Sequence, residues 1–425
     1  MSNDQTPKEK QTVLRSLGLG LITGAADDDC SAIGTFAQAG AQFGYQILWA
    51  APATFPMMVA VVYLSGKLGQ VTGQGLFSIL RRHYPRWFIY PVLLCVVIGN
   101  TIEAGADIGG IATAVGDLVR LPHWLSVLGI GAITLILQIW GSYGLIRNVF
   151  RFLALSLLAY VASAFMAHPN MGEVIRGTFL PSLHLDKESL SILVAIIGTS
   201  LSAYIYTWQS NEEVEEKVAA GKHKLLERRG TTVAQLRTSL WDVIFGMFFS
   251  NVVMYFTILA TAATLFVAGH HKIETAMDAA QSLTPLAGPA AGLLFTIGLV
   301  GVGFLAIPVM TTGAAYDVSQ SLGWKNGLYR KPADAKAFYV TIAIVTAFAT
   351  ALNFLGINPM RGLVVAGIVQ GISTPPLMLL ILFMTNNRSI MGDHVNGRLA
   401  NICGSITTLV IFSAAVTLVI MWVKG

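Results

Sequence analysis

The chain has 425 residues, of which 54% are apolar and only 12% charged, with a net charge of +5 and three cysteines. A soluble domain carries about 25% charged residues, so water is excluded as the main solvent of this surface and the lipid bilayer takes its place. Cys30, Cys95 and Cys403 have no CxxC spacing, which argues against a disulfide framework or a zinc knuckle, and the positive charge needs no nucleic acid to explain it.

In chain order, residues 1–15 are polar and basic and read as a cytoplasmic tail without the pattern of a removable signal peptide. A hydrocarbon core of about 30 Å requires a helix of about 20 apolar residues. Runs of that kind predict eleven spans, near 16–44, 46–69, 87–117, 123–141, 145–168, 190–210, 239–268, 288–322, 337–355, 360–386 and 401–423. With the N-terminus in the cytoplasm, 21 of the 27 Lys and Arg residues fall inside and 6 outside, which sets the orientation and leaves the C-terminus outside. The expected setting is a bacterial inner (plasma) membrane.

The whole of 1–425 reads as a single transmembrane domain. Five spans in 16–168 and five in 190–386 enter the membrane in opposite senses, so the halves are expected to be inverted repeats, with 401–423 added as span eleven. The longest cytoplasmic connection, 211–238, runs from acids at Glu212 to bases at Arg229. That order suits a solvated helix, because the helix dipole favours acids first and bases last.

Two spans are interrupted by small and polar residues: span one at 24–32, with sequence GAADDDCSA, and span six at 198–204, with sequence GTSLSAY. In inverted-repeat transporters the ligand sits between two such breaks. Each ionisable group inside a membrane costs about 2.5–3.5 kcal/mol on insertion scales. The groups that need an account are Asp27, Asp28, Asp29, Glu103, Asp107, Asp242 and Asp317. No basic residue lies at a depth that would neutralise the span-one triplet, and a cation held by carboxylate, freed carbonyls, hydroxyls and water is the simplest counter-charge. The alternative is that one or two of these acids sit in an aqueous vestibule and cap the second half-helix.

Asn100, Glu103 and Asp107 recur at i, i+3 and i+7 and therefore share one face of span three, as an ion path or as packing between helices. The eight histidines all fall in connections or at span ends, which disfavours a histidine relay or a His-ligated zinc.

The segment from Asp29 through Ser31 and Ala32 to the run AGAQFGY ending at Tyr45 resembles the first helix of the Nramp family of divalent-metal transporters. There an Asp-Pro-Gly-Asn motif precedes a similar run at the same spacing. Residues 198–210 are similar to that family's second motif, and Asn387-Arg388-Ser389-Ile390-Met391-Gly392 continues the match after span ten. The resemblance implies an all-α integral membrane protein of the LeuT type, a 5+5 inverted repeat with broken helices one and six.

On this alignment the motif aspartate is Asp29, its proline is Cys30, its asparagine is Ala32, and the second-motif methionine is Ser202. Exchanging a thioether for a hydroxyl relaxes a site towards hard cations, and losing the asparagine leaves room for an ion that keeps its waters. The pattern resembles the Nramp-related magnesium transporter branch. The family's second-motif histidine is Tyr204 and a span-three glutamate is Gly110, while Asp107 is retained, so the resemblance implies transport of Mg2+ and Mn2+ without proton coupling. Asp29, Asp28, Ser202 and the carbonyls of Ala26 and Thr199 are the expected metal ligands. Ser31, Ala32, Asn100, Glu103, Asp107, Tyr204, Gln209 and Gln370 are expected around the site or along the path. Cys30 is expected to pack rather than bind.

The metal is the transported substrate and no cofactor is expected. The bilayer is the expected partner, with no nucleic acid and no obligate protein partner. The competing readings are a proton-coupled Mn2+/Fe2+ transporter of the ordinary Nramp type and a sodium-coupled amino-acid carrier of the same fold. An aspartyl enzyme is a further one, disfavoured because three consecutive acids cannot face each other as a dyad.

Overall fold

The computed structural model of the protein describes residues 19–141, 157–182, 186–273, 289–355 and 374–423, which are helical apart from turns and connections. The first span is broken into α1 (Leu19–Asp27) and α2 (Cys30–Phe43), with Asp28 and Asp29 between them. Next come α3 (Ala50–Thr72), a short surface helix α4 (Leu76–His83), α5 (Arg86–Val119) and α6 (His123–Trp140). The described part of span five is α7 (Leu158–Met166), and α8 (Met171–Phe179) leads away from it.

The sixth span is also broken, into α9 (Lys187–Ser200) and α10 (Ala203–Ala219), with Leu201 and Ser202 at the interruption. After the short α11 (Leu225–Arg228), the long α12 (Val233–Thr261) continues into a π turn over Ala262–Phe266. The remaining elements are α13 (Pro289–Leu322), α14 (Lys336–Leu352), α15 (Thr374–Asn386), α16 (Arg388–Met391) and α17 (Arg398–Val423).

Among the described residues, seven helices are long and apolar enough to cross a membrane, and α14 and α15 are shorter apolar helices. Their outward faces are greasy: Leu94 is 59% exposed, Phe245 65% and Leu409 68%. Trp87, Trp124 and Trp140, near helix ends, are exposed too, as expected of aromatic rings at a lipid headgroup boundary. The protein is an integral membrane helical bundle.

Since lipid is as apolar as leucine, helices here associate through close packing. The half-helix α1 does this with glycine. A Cβ at Gly20 would overlap the Asp242 carbonyl on α12, and one at Gly24 would overlap the Gly246 carbonyl. Asp242 adds a bond, its Oδ2 accepting from the Gly20 amide at 2.8 Å. On the other side of the bundle, a Cβ at Gly69 of α3 would overlap the Ser210 carbonyl of α10. Both half-helices nearest the breaks are thereby pressed against long, continuous neighbours.

The connection expected as a solvated helix over 211–238 is corrected by the structure. The broken helix α10 runs on to Ala219, and Glu212, Glu213 and Glu215 are buried at 2, 6 and 3% exposure. Burial is possible because donors converge on them. Glu213 accepts from Ser239 at 2.5 Å, Gln70 at 2.8 Å and Gln209 at 3.3 Å, and Glu215 accepts from Tyr316 at 2.6 Å and the Leu328 amide at 3.1 Å. Lys217 closes the connection by donating to the carbonyls of Gln70, Arg228 and Gly230. The Asn387 motif forms a capped turn: its side chain accepts from the Ser389 amide at 2.9 Å, and Gly392 has a φ of 57° that favours glycine.

Candidate ion site at the broken helices

Three acidic residues end one half-helix and begin the next, and each is bound differently. Asp29 is the N-cap of α2, its Oδ1 accepting from the Ala32 amide and the Ser31 hydroxyl, both at 2.7 Å. The N-terminal end of a helix carries partial positive charge, which stabilises this carboxylate. Its Oδ2 faces the Tyr204 hydroxyl at 3.1 Å, and the same hydroxyl lies 2.9 Å from the Ala26 carbonyl oxygen. Asp29 and Tyr204 are 2% and 0% exposed, so the group is shut off from solvent in this conformation.

Asp27 and Asp28 turn towards α12 instead. Ser250 reaches Oδ2 of Asp27 and Oδ1 of Asp28 at 3.2 Å each, which leaves the remaining oxygens, Asp27 Oδ1 and Asp28 Oδ2, without a hydrogen-bond partner. Both acids are buried, so neither sits in an open vestibule. Ser250 is a contact that hydropathy conceals, since one serine among apolar neighbours carries no pattern.

The span-three stripe faces inward. Asn100, Glu103 and Asp107 are all buried, and the Ser31 hydroxyl, 2.7 Å from Asp29, is also 3.3 Å from Glu103 Oε1. Asp107 lies beside the Cys30 and Ser31 amides without reaching hydrogen-bond geometry, and neither polar atom of Asn100 has a partner. Cys30 is packed. Its Sγ is 3.8 Å from the Leu299 carbonyl oxygen, and a Cβ at Gly303 would stand 3.1 Å from that sulfur.

Ser202 directs its hydroxyl back along α9, donating towards the carbonyls of Gly198 at 3.1 Å and Thr199 at 3.0 Å. These carbonyls are among those the break in the helix releases. Gln209 lies two turns further along α10, where its Oε1 accepts from Thr23 at 2.5 Å. The structure therefore gathers Ala26, Asp29, Ser31, Ala32, Glu103, Asp107 and Tyr204 around one point. It places Asp28 on Ser250, and Gln209 at the junction of α1 and α10. Gln370 lies outside the described residues.

Among the described residues, no three His, Cys, Asp or Glu side chains converge tightly enough to hold a metal ion by themselves. Any ion at Asp29 would therefore draw on carbonyl, hydroxyl and water oxygens, a donor set suited to hard cations. The Tyr204 hydroxyl occupies the space between the Ala26 carbonyl oxygen and the Asp29 carboxylate. Its one proton lies between these two acceptors and supplies the positive end that they share.

Two broken spans enclosing a buried acid, within a bundle of continuous helices, define an integral membrane protein of the LeuT-type transporter fold. A family model described as natural resistance-associated macrophage protein-like matches residues 20–421, and the chain belongs to this Nramp family. It is 27% identical over 420 residues to a divalent metal cation transporter MntH of Deinococcus radiodurans, covering 96% of this chain and 90% of that one. A protein of the same name from Klebsiella pneumoniae (strain 342) is 24% identical over 97% of this chain and 95% of its own length. Among solved structures, the Eremococcus coleocola manganese transporter is similar in fold with a TM-score of 0.75 at 16% identity, over 99% of this chain and 88% of that one. The nucleobase-cation-symport-1 family transporter Mhp1 has a TM-score of 0.61 at 13% identity, over 95% and 92% of the two chains.

Proposed function

We propose that this protein carries divalent metal cations across a bacterial inner membrane by alternating access. The observation that carries the proposal is the pairing of the Asp29 carboxylate with the Ala26 carbonyl around a single point, at a break in the first span and with no basic side chain among the described residues to neutralise it. The relatives named as divalent metal cation transporters and as a manganese transporter support the substrate class. Asp29 and the Ala26 carbonyl would be direct ligands. Thr199 and Ser202 would join when the half-helices α1 and α10 rock together, and Asp28 would help to attract the cation.

Selectivity is read from what is missing. Ser202 and Ala32 bring no sulfur and no amide, so the site favours Mg2+ and Mn2+ over softer metals. On the family resemblance, Tyr204 and Gly110 replace two of three expected proton carriers while Asp107 is retained, so the proposed driving force is the metal's own gradient and the membrane potential. At about 2.3 kcal/mol per charge per 100 mV, a divalent ion gains about 4.6 kcal/mol. Segments 16–168 and 190–386 would be the two inverted repeats, with the N-terminus cytoplasmic and the C-terminus outside.

The test is flux into proteoliposomes. Wild-type protein should take up Mg2+ and Mn2+ but little Cd2+, without acidifying the lumen, and Asp29→Ala should abolish uptake. Undiminished uptake in that variant refutes the site. Metal-dependent acidification that disappears in Asp107→Asn would instead establish proton coupling.

A further inference from the structure

Asp317 on α13 is fully buried, and neither of its carboxylate oxygens has a hydrogen-bond partner. Its polar neighbour is the Thr207 hydroxyl of α10, and no charged side chain among the described residues acts on it. The Thr207 hydroxyl has one proton, which is directed to the Tyr204 carbonyl at 3.1 Å. That single proton cannot serve both this carbonyl and the Asp317 carboxylate beside it. A carboxylate buried with no more than a shared hydroxyl beside it is costly unless a proton or a passing cation meets it.

The seam is also loosely packed at this level. Gly313 is one turn before Asp317 on the same face of α13, and a Cβ there would meet only the Thr207 Oγ1, at 3.9 Å. Glycines elsewhere in the bundle, at Gly20, Gly24 and Gly69, bring backbones into contact. The position is informative as well. Thr207 follows Tyr204 by three residues, about 4.5 Å along the helix axis, so Asp317 lies one turn beyond the Asp29 site towards the Ala219 end. Past it the seam is closed by a polar pair, Gln320 donating to Asn211 Oδ1 at 2.5 Å while Asn211 donates to the Thr207 carbonyl at 2.8 Å.

We propose that Asp317 and Thr207, beside the gap at Gly313, form a second, transient station for a partly hydrated divalent cation on its way from Asp29 to the Ala219 end of the bundle. Swinging α1 away from α10 opens the Asp29 site on this side, and the carboxylate of Asp317 offers the departing ion its next counter-charge. The Asn211 and Gln320 side chains part to let it leave.

The inference rests on the proposed transport of divalent cations, and the experiment separates the two. Full-length protein is reconstituted in liposomes, and Mn2+ and Mg2+ uptake is measured for the wild type and for Asp29→Ala, Asp317→Asn, Asp317→Glu and Gly313→Ala. Asp317→Asn should lower the maximal rate about tenfold with little change in KM, since release and not capture is slowed. Asp317→Glu should retain most of the rate, and Gly313→Ala, which fills the gap with a methyl, should reduce it. A wild-type rate in Asp317→Asn overturns the station, as does an Asp317→Glu variant as slow as Asp317→Asn, which would mark a purely structural acid. If Asp317→Asn fails to give monodisperse protein, Gly313→Ala decides, and an undiminished rate in it refutes the proposal. Unimpaired uptake by Asp29→Ala would refute the transport site itself, whereas a dead Asp29→Ala beside a normal Asp317→Asn would refute only the second station.

Discussion

Thr23 donates to Gln209 Oε1 at 2.5 Å, and this bond joins α1, the first half of the first broken span, to α10, the second half of the sixth. It lies below the ion site, where α1 and α10 must separate if the site is to open on that side. The Thr23→Val variant keeps the shape and removes the donor. Losing a buried hydrogen bond costs about 1 kcal/mol, and that cost falls on the conformation with the two halves together. The expected result is faster alkylation of Cys30, by about fivefold, in a background where Cys95 and Cys403 are serine. An unchanged rate would show that the contact does not hold the closed state.

At the proposed site, Tyr204 would compete with the ion. A metal bridging Ala26 and Asp29 must displace the hydroxyl that lies 2.9 and 3.1 Å from their oxygens. Tyr204→Phe leaves the ring in place and removes the competitor, so Mn2+ should bind more tightly, by about two- to tenfold in Kd. Isothermal titration of the purified protein checks this. Weaker binding would instead identify the hydroxyl as a ligand.

Glu213 accepts from three separate side chains, Gln70, Gln209 and Ser239. In Glu213→Gln an amide NH2 must face one of those donors, and leaving a buried donor unsatisfied costs about 1–3 kcal/mol. The melting temperature in detergent should fall. Adding Gln70→Glu, which returns an acceptor to the same pocket, should restore most of it; without any such recovery, the loss has another origin.

Acid should loosen the start of α9. Asp186 caps this helix, accepting from the Ser189 amide at 2.8 Å and the Ser189 hydroxyl at 3.0 Å. These bonds favour the charged form and hold its carboxyl below the ordinary value of 3.8. A lowered folded pKa means that the stabilisation is present above the unfolded value and is lost as pH falls through the folded one. The protection factors of the Ser189 and Leu190 amides, exchange rates taken relative to the intrinsic rate at each pH, should therefore fall as pH drops from about 5 to about 3, and Asp186→Ala should show low protection at both ends of that range.

Much of the architecture was legible because a bilayer allows so few solutions. Apolar runs such as 289–322 must be helices, since lipid satisfies no backbone group. The two stretches where small polar residues replace apolar ones had to be interruptions, and the breaks fall within them at Asp28 and Asp29 and at Leu201 and Ser202. The inward stripe of Asn100, Glu103 and Asp107 was legible for the same reason, through helical spacing. The burial of Glu212, Glu213 and Glu215 was not. Acidic residues read as solvated unless their partners are known, and those partners are remote: Gln70, Ser239, Tyr316 and Leu328 lie on other helices or in a connection.

The order of residues by itself determined that the chain lives in lipid, where its helices break, and which acid begins the second half of the first span. Those follow from local hydropathy and helix capping, which act over a few residues. Only the tertiary structure decided that Asp27 and Asp28 share Ser250 while Asp29 faces Tyr204, and that Asp317 is buried beside Thr207 of another helix. Three adjacent carboxylates are equivalent along the chain. They become different only when neighbouring helices, packed at glycine contacts, bring Ser250 to two of them and Tyr204 to the third.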